Sequence, residues 1–313
     1  MILVSRHHSR PHRQLGPSVH QPVLLQECMD VLRPGRGGRF VDTTVGGGGH
    51  AVALLEASTE LELLAIDRDA DALERAKERL APFGERVRFA HAPFSAFAAL
   101  LPEEWNGKVD GVLADFGVSS DQLEDFDRGF SFLHDGPLDM RMDATKQKTS
   151  AAVLLAKAPE DDIERWLREY GEERFARKIA RAIVDSRRIG PLMRTSQLSD
   201  LVSRVVKRGG QGIHPATRTF QALRIIVNRE LDEIAALLSE VPARLDVGGV
   251  FAAISFHSLE DRLVKNAFRN EIRSGDFKDL IKKGLVASPH ESRTNPRSRS
   301  GRLRAIEAVG NIA

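Results

Sequence analysis

Short apolar runs alternate with amphipathic stretches along most of the chain. Residues 23–32 read as a helix closed by Pro34-Gly35, and residues 39–44 as a short strand. After the glycine run 46–49 a helix opens at residues 50–57. Residues 61–67 form an apolar strand ending in an acid, and 70–81 an amphipathic helix with Leu73, Ala76 and Leu80 on one face. Strands follow at 86–90 and 109–115. Strands separated by helices predict a parallel sheet with crossover helices. The alternation stops near Arg128, and helical patterns dominate to His214, at 151–156, 161–169, 175–185 and 196–207. Phe175, Ile179 and Ile183 make an apolar stripe there, opposite a basic face of Arg174, Arg177, Lys178 and Arg181. Beyond Pro215 one long helix is predicted over 217–238, with Phe220, Leu223, Val227, Leu231, Ile234 and Leu238 at helical spacing. A doubly buried strand at 249–256, a helix from Leu259, a charged stretch and a last strand at 303–308 complete the pattern. The expected organisation is an α/β domain formed by residues 20–127 and 215–313, interrupted by an inserted all-α domain at 128–214. Residues 1–19, with Arg6, Arg10, Arg13 and no acid, read as a disordered basic tail.

Bulk charge changes this picture little, since 46 Lys and Arg face 44 Asp and Glu. Its distribution matters more: an acidic centre from Glu103 to Asp143 lies between basic stretches at 174–208 and 262–304, which suits a reaction site beside a polyanion-binding surface. The single Cys28 excludes a disulfide framework and a cysteine zinc site within the chain, and no metal is expected. No apolar run reaches the roughly 18 residues of a membrane helix, and no signal peptide is read at the start. A cytoplasmic protein with no membrane partner is expected.

The candidate chemistry sits at strand ends. Val45-Gly46-Gly47-Gly48-Gly49-His50 follows the first strand, where open α/β sheets bind ligands and where glycine lets the backbone approach them. Asp67 ends the second strand and is placed to accept ribose hydroxyls. That logic fits a nicotinamide dinucleotide as well as S-adenosylmethionine. Phe94, after the third strand, is placed either to cover an adenine or to fill the core. Asp115-Phe116-Gly117-Val118-Ser119-Ser120 ends the fourth strand, facing a donor bound there. The amino nitrogen of a base is a weak nucleophile, so acceptors such as Asp115 must hold it and disperse the charge that develops. Asp139 and Asp143, in Pro137-Leu138-Asp139-Met140-Arg141-Met142-Asp143, read as a loop over the target base; the alternative is a helix start with two like charges at i,i+4. Methylation at a pyrimidine C5 generally needs a cysteine nucleophile, and Cys28 lies inside a helix far from the strand ends. His214-Pro215-Ala216-Thr217-Arg218 and Arg293-Thr294-Asn295-Pro296-Arg297-Ser298-Arg299-Ser300-Gly301-Arg302 read as phosphate-binding segments.

Together with His20-Gln21-Pro22-Val23-Leu24-Leu25, Arg128-Gly129-Phe130-Ser131-Phe132, Tyr170-Gly171-Glu172-Glu173 and Ser255-Phe256-His257-Ser258-Leu259-Glu260-Asp261-Arg262, these motifs resemble the ribosomal RNA small subunit methyltransferase H family, collinearly from His20 to Glu307. The resemblance implies a class I (Rossmann-like) S-adenosylmethionine-dependent methyltransferase with a helical insertion. It implies N4-methylation of a cytidine in the decoding region of 16S rRNA, near the P site of the small ribosomal subunit. By carry-over, Gly48, Gly49, His50, Asp67, Phe94, Asp115 and Gln122 would hold the cofactor. On the chain's own pattern, Asp115, Asp139 and Asp143 are expected to serve the amine, and Arg141, His214, Arg218, His257, Arg297, Arg299 and Arg302 to meet RNA. A homodimer is compatible with the sequence. The chain departs from the family in a longer tail before His20, a shorter stretch between Asn270 and Arg293, and Ala92 in place of the usual glycine. Asp115-Phe116-Gly117-Val118 is not the Pro-Pro-aromatic motif of DNA N4-cytosine enzymes. The rival functions are a nicotinamide-dependent oxidoreductase, for which no hydride-transfer pair is evident, and a non-catalytic ribosome assembly factor.

Overall fold

A computed structural model describes residues 21–206 and 214–310. The tail read at 1–19 and the last residue of the helix read at 196–207 lie outside the described residues. The strands are β1 Gly38–Asp42, β2 Leu61–Asp67, β3 Val87–His91, β4 Val109–Asp115, β5 Leu245–Ser255, β6 Phe277–Asp279, β7 Leu285–Val286 and β8 Arg302–Ala308. The α-helices are α1 Leu25–Leu32, α2 Gly49–Ala57, α3 Ala70–Leu80, α4 Phe97–Leu100, α5 Ser120–Glu124, α6 Ala151–Lys157, α7 Glu160–Glu169, α8 Ala176–Ser186, α9 Thr195–Val205, α10 Thr217–Asn228, α11 Glu230–Glu240, α12 Ser258–Ser274 and α13 Glu291–Thr294.

One sheet runs in the order β3-β2-β1-β4-β5-β8-β6, with β7 also on β8. The first five strands in that order are parallel, as the alternating pattern predicts. The wholly parallel sheet expected from the pattern is corrected at its far side. There β8 pairs antiparallel with β5, and β6 and β7 pair antiparallel with β8. The short strands β6 and β7 come from the charged stretch, too brief to register as period-2 runs.

Side chains alternate between the two faces of the sheet. Leu63, Ala65, Leu113, Ala252 and Ile254 pack with α1 and α2 through Cys28, Leu32 and Leu54. Leu64, Ile66, Val112, Phe251 and Ala253 pack on the other face with Ile234 and Leu237 of α11 and Val264 and Phe268 of α12. A third apolar cluster is helical. It joins Leu155, Ile163, Ile179, Ile183 and Leu198 of α6–α9 to Phe220 and Leu223 of α10 and to Phe130, Leu138 and Met140.

The single helix expected over 217–238 is two helices. Arg229 stands between them in the left-handed region at φ 52. The apolar stripe continues through this break, so periodicity alone does not reveal it. Buried Asn228 stands at the break: its Oδ1 accepts from Met142 N at 2.8 Å and its Nδ2 donates to Met140 O at 2.7 Å. The break turns α10 into the helical cluster and α11 onto the sheet, and it anchors the loop around 140–142.

Candidate active site

The strand order reverses direction between β1 and β4, the switch point at which open α/β sheets form a crevice beyond their carboxyl ends. A cavity lies there, lined by Gly46, His50, Asp67, Phe94, Asp115, Phe116, Gln122, Met142, Glu230, Glu260 and Arg297, among others. Three carboxylates stand at neighbouring strand ends. Burial pushes Asp42 up to about 7 and Asp67 up to about 6. Burial likewise pushes Asp115 up to about 7, with Arg297 pulling it down and Glu260 adding to the rise. Of the three, Asp67 and Asp115 line the cavity, where a ligand that brings positive charge would favour their ionised forms.

Asp67 organises the glycine loop: Oδ2 accepts from Gly46 N at 2.8 Å and Oδ1 from Asp69 N at 2.8 Å. Each oxygen keeps a further lone pair for a hydroxyl donor. The four glycines divide their work. A Cβ on Gly46, at φ 53, would meet nothing nearer than Thr44 O at 3.8 Å, so this glycine opens toward the cavity. Gly48 caps α2 at φ 79, and a Cβ added there would meet Ala76, Arg79 and Leu80 of α3, while its neighbours Gly46 and Gly49 line the cavity. Gly49 lines the cavity but is packed beneath Pro22, whose Cγ would lie 2.3 Å from an added Cβ. Gly49→Ala therefore lifts the 21–24 segment from α2 and costs about 1–3 kcal/mol in a urea titration; a loss below about 0.5 kcal/mol would contradict this packing.

His50 is buried, and burial pushes its imidazole down to about 4, so it is neutral at pH 7. Its Nε2 lies 3.0 Å from Val23 O, which can only accept, so Nε2 carries the proton. Nδ1 is left facing Asp115 Oδ2 at 3.9 Å. Asp115 Oδ1 is buried with no hydrogen-bond partner, in a residue that lines the cavity. Phe94 lines the wall and packs on Phe116 with ring centroids 5.7 Å apart, so it is at once a core and a cavity residue. Gln122 is the third residue of a Ser119 capping box, and its Nε2 donates to Asp69 Oδ2 at 2.6 Å. The S-x-x-Q spacing was a visible signal for it.

The loop at 137–143 differs from expectation. Met142 lines the cavity, whereas Asp139 and Asp143 lie outside its wall. Asp139 is closed by Arg141, whose Nε and Nη2 donate to it at 2.6 and 2.7 Å. Asp143 accepts from Thr145 N, the Thr145 hydroxyl and Lys146 N. Burial opposes its ionisation, but those donors hold Asp143 below its ordinary range. The two carboxylates expected to serve the base instead build the loop, and Arg141 is committed there too, also reaching Gln147 O at 2.7 Å. A buried Arg128, missed in the sequence, ties this loop to the site by donating to Met142 O at 2.8 Å and lying 2.9 Å from Asp69.

The candidate RNA residues also separate. Arg218, Arg299, Arg174 just before α8, and Arg177, Lys178 and Arg181 on it are exposed. His214 stacks on Phe132 at 4.6 Å, and Arg302 on β8 donates to Lys283 O at 3.1 Å. Arg297 turns inward, a correction to its expected place on the surface: it donates to Val118 O and Ser120 Oγ and lines the cavity. His257 caps α12 and stands beside Glu260, largely buried rather than on an open face. The segment 291–297 also clasps the N-terminal one, for Asn295 Nδ2 reaches Gln21 O and Pro22 O and Glu291 accepts from Leu24 N.

A family model described as the MraW methylase family matches residues 17–309. The chain belongs to that family. A relative named ribosomal RNA small subunit methyltransferase H, from Syntrophotalea carbinolica, is 49% identical over 93% of this chain and 98% of its own length. One of the same name from Cyanothece sp. is 48% identical over 93% and 95%. Among solved structures, an rRNA methylase from Streptococcus thermophilus aligns over 93% of this chain and 99% of its own, with TM-score 0.42 and 11% identity. The methyl donor of the family is S-adenosylmethionine. The cavity fits such a group: Asp67 has lone pairs for hydroxyls, Gly46 leaves room for close approach, Phe94 offers a ring face, and the raised carboxylates suit a cation. Cys28, by contrast, is buried in α1 with its thiol pushed well up by burial, and it takes no part in the wall.

Asp42 supplies a stability test. Its folded pKa of about 7 lies above the ordinary 3.8, so the folded state binds the extra proton. Its contribution to stability is therefore greatest below pH 4 and falls as pH rises toward 7. Asn can replace the acceptor of the 3.1 Å bond from Thr44 N. Asp42→Asn should thus raise the melting temperature more at pH 8 than at pH 5. An equal shift at both pH values would contradict the buried charge.

Proposed function

We propose that this methyltransferase transfers a methyl group to N4 of a cytidine in the decoding region of 16S rRNA, in the small ribosomal subunit. The observation that carries this reading is the unsatisfied buried acceptor of Asp115 at a strand-end cavity, in a chain 49% identical to a relative named ribosomal RNA small subunit methyltransferase H. S-adenosylmethionine, when bound, supplies an electrophilic methyl group on a positively charged sulfur. Asp67 holds its ribose hydroxyls, Phe94 covers its adenine, and Gly46, Gly49, His50 and Gln122 shape the rest of the pocket.

Asp115 has the chemical role. Its Oδ1 accepts a hydrogen bond from the exocyclic amine, orienting the nitrogen lone pair, and takes the proton released as the amine becomes charged. Neutral His50, fixed by Val23, keeps a lone pair toward Asp115 and leaves the carboxylate unneutralised. Arg297, inward and near Asp115, holds the loop after β4 in place. Residues 128–214 act as the inserted substrate-recognition domain, and the exposed bases Arg174, Arg177, Lys178, Arg181, Arg218 and Arg299, with half-buried Arg302, meet phosphates. Substrate on a partly assembled subunit suits a site that must be folded yet reachable.

Incubation with labelled S-adenosylmethionine and unmethylated small subunits tests this. Label should enter 16S rRNA, and large subunits offered under the same conditions should take up none. Equal labelling of both subunits would count against the assignment.

A further inference from the structure

Glu260 is among the least exposed residues of the chain, yet it lines the cavity beside Asp115. It opens α12 directly after β5, and β5 is the parallel neighbour of β4, with Asp115 in register with Ile254. One carboxylate oxygen is used by the fold, since Oε2 accepts from Phe256 N at 2.7 Å. The other, Oε1, is not. His257 Nε2 stands 3.0 Å away but out of line, and both atoms are buried without a hydrogen bond. Arg224 lies 3.9 Å from Oε1, but its Nε and Nη2 donate to Glu230. Glu230, His257 and Glu260 bring ligand-type atoms within 4.8 Å of one another, but Arg224 already supplies the cation of that cluster.

On adjacent strand ends the cavity wall therefore holds two buried carboxylate oxygens with no hydrogen-bond donor in line, Asp115 Oδ1 and Glu260 Oε1, the second beside the His257 ring at 3.0 Å. Buried acceptors left without donors are rare unless a ligand completes them. A primary amine on an aromatic ring carries two N–H donors, whereas a ring carbonyl at the same place carries none. We infer that Glu260 is a specificity-determining residue: its Oε1 accepts the second N–H of the target amine while Asp115 accepts the first, so the pair admits cytosine and rejects uracil. This rests on the cytidine reading above. Burial pushes Glu260 up, but His257 and Arg224 outweigh it and hold the carboxyl below its ordinary range, an acceptor at neutral pH. Sites built around buried hydrogen-bonding groups discriminate strongly, because the wrong partner leaves those groups unpaired.

E260Q tests this. The Gln oxygen can keep the bond from Phe256 N, which turns the amide NH2, a donor, toward the base. Three quantities are read: calorimetric binding of S-adenosylhomocysteine, methylation rate on small subunits with cytidine at the target, and inhibition by subunits with uridine there. The expected result is cofactor affinity within about twofold of wild type, methylation lowered about 100-fold, and uridine subunits inhibiting about 10-fold better than they inhibit wild type. A parallel loss of cofactor affinity in a folded variant would overturn the inference, since Glu260 would then serve the donor's own ammonium. Unchanged rate and inhibition would overturn it as well. E260D, which retains the charge but withdraws the oxygen, guards against a folding defect. It should lose about 10-fold in rate while still rejecting uridine, and full activity in it would be contrary. Failure of wild type on the cytidine subunits would instead remove the cytidine reading, and this inference with it.

Discussion

Asp115→Asn lowers methyl transfer at saturating S-adenosylmethionine by about 100- to 1,000-fold, the cost typical of removing one preorganised charge-stabilising group. The substitution keeps the shape of the side chain and leaves the backbone bond from Asp115 N to Thr44 Oγ1 at 2.7 Å intact. What it removes is a base able to take a proton. The wild-type pH profile carries the same information. Burial, with the nearby charge of Glu260 and against that of Arg297, places Asp115 at about 7. The carboxylate fraction, and with it the rate, should rise through that pH and level off above it. Neutral His50, pushed to about 4 by burial, does not titrate in this window. The Asn variant should lose the limb near pH 7. Stability separates catalysis from folding: a raised pKa means charging Asp115 destabilises the fold above pH 4, so the variant should melt no lower than wild type at pH 8. A variant within threefold of wild-type rate would remove Asp115 from the reaction.

Asp67→Ala should weaken S-adenosylmethionine binding by 100-fold or more. Hydrogen bonds to a charged group contribute about 1.5–3 kcal/mol each, and two ribose hydroxyls place the loss near 3 kcal/mol or above. The variant also releases Gly46 N and Asp69 N, so the glycine loop loosens and adds to the loss. Calorimetry with S-adenosylhomocysteine measures it directly, and Asp67→Asn, which keeps an acceptor, should fall between the two. Binding of unmethylated small subunits in the absence of cofactor should be unchanged. A change below threefold in cofactor affinity would show that the ribose does not rest on β2.

The parts of this site that lie on strand ends were legible in the sequence. Leu61–Asp67 and Val109–Asp115 have the bounds that the pattern predicts, because a doubly buried apolar run ending in an acid has few other readings. The parts that depend on tertiary pairing were not. One αL residue at Arg229 splits the predicted helix without disturbing its periodicity. Asp139, Arg141 and Asp143 have the composition of a reactive loop, but their charges are spent on one another and on nearby backbone. Arg297 sits in a basic, Ser-rich stretch with every mark of a surface segment, and its inward turn follows from Val118 O and Ser120 Oγ, nearly 180 residues away. Glu260 carried no signal of its own, since an acid in the first turn of a helix is ordinary capping chemistry. Its orphaned oxygen becomes visible only once β5 is laid beside β4.

The methyl group is expected on the exocyclic nitrogen of a cytidine, and that can be read directly. Purified protein, S-adenosylmethionine and small subunits lacking the modification can be combined, the rRNA digested to nucleosides, and the products separated by mass spectrometry against authentic standards. N4-methylated cytidine should appear with wild-type protein, and little or none with Asp115→Asn. A methyl group on pyrimidine C5 or on a ribose hydroxyl, or no methylated nucleoside while the cofactor still binds, would contradict it.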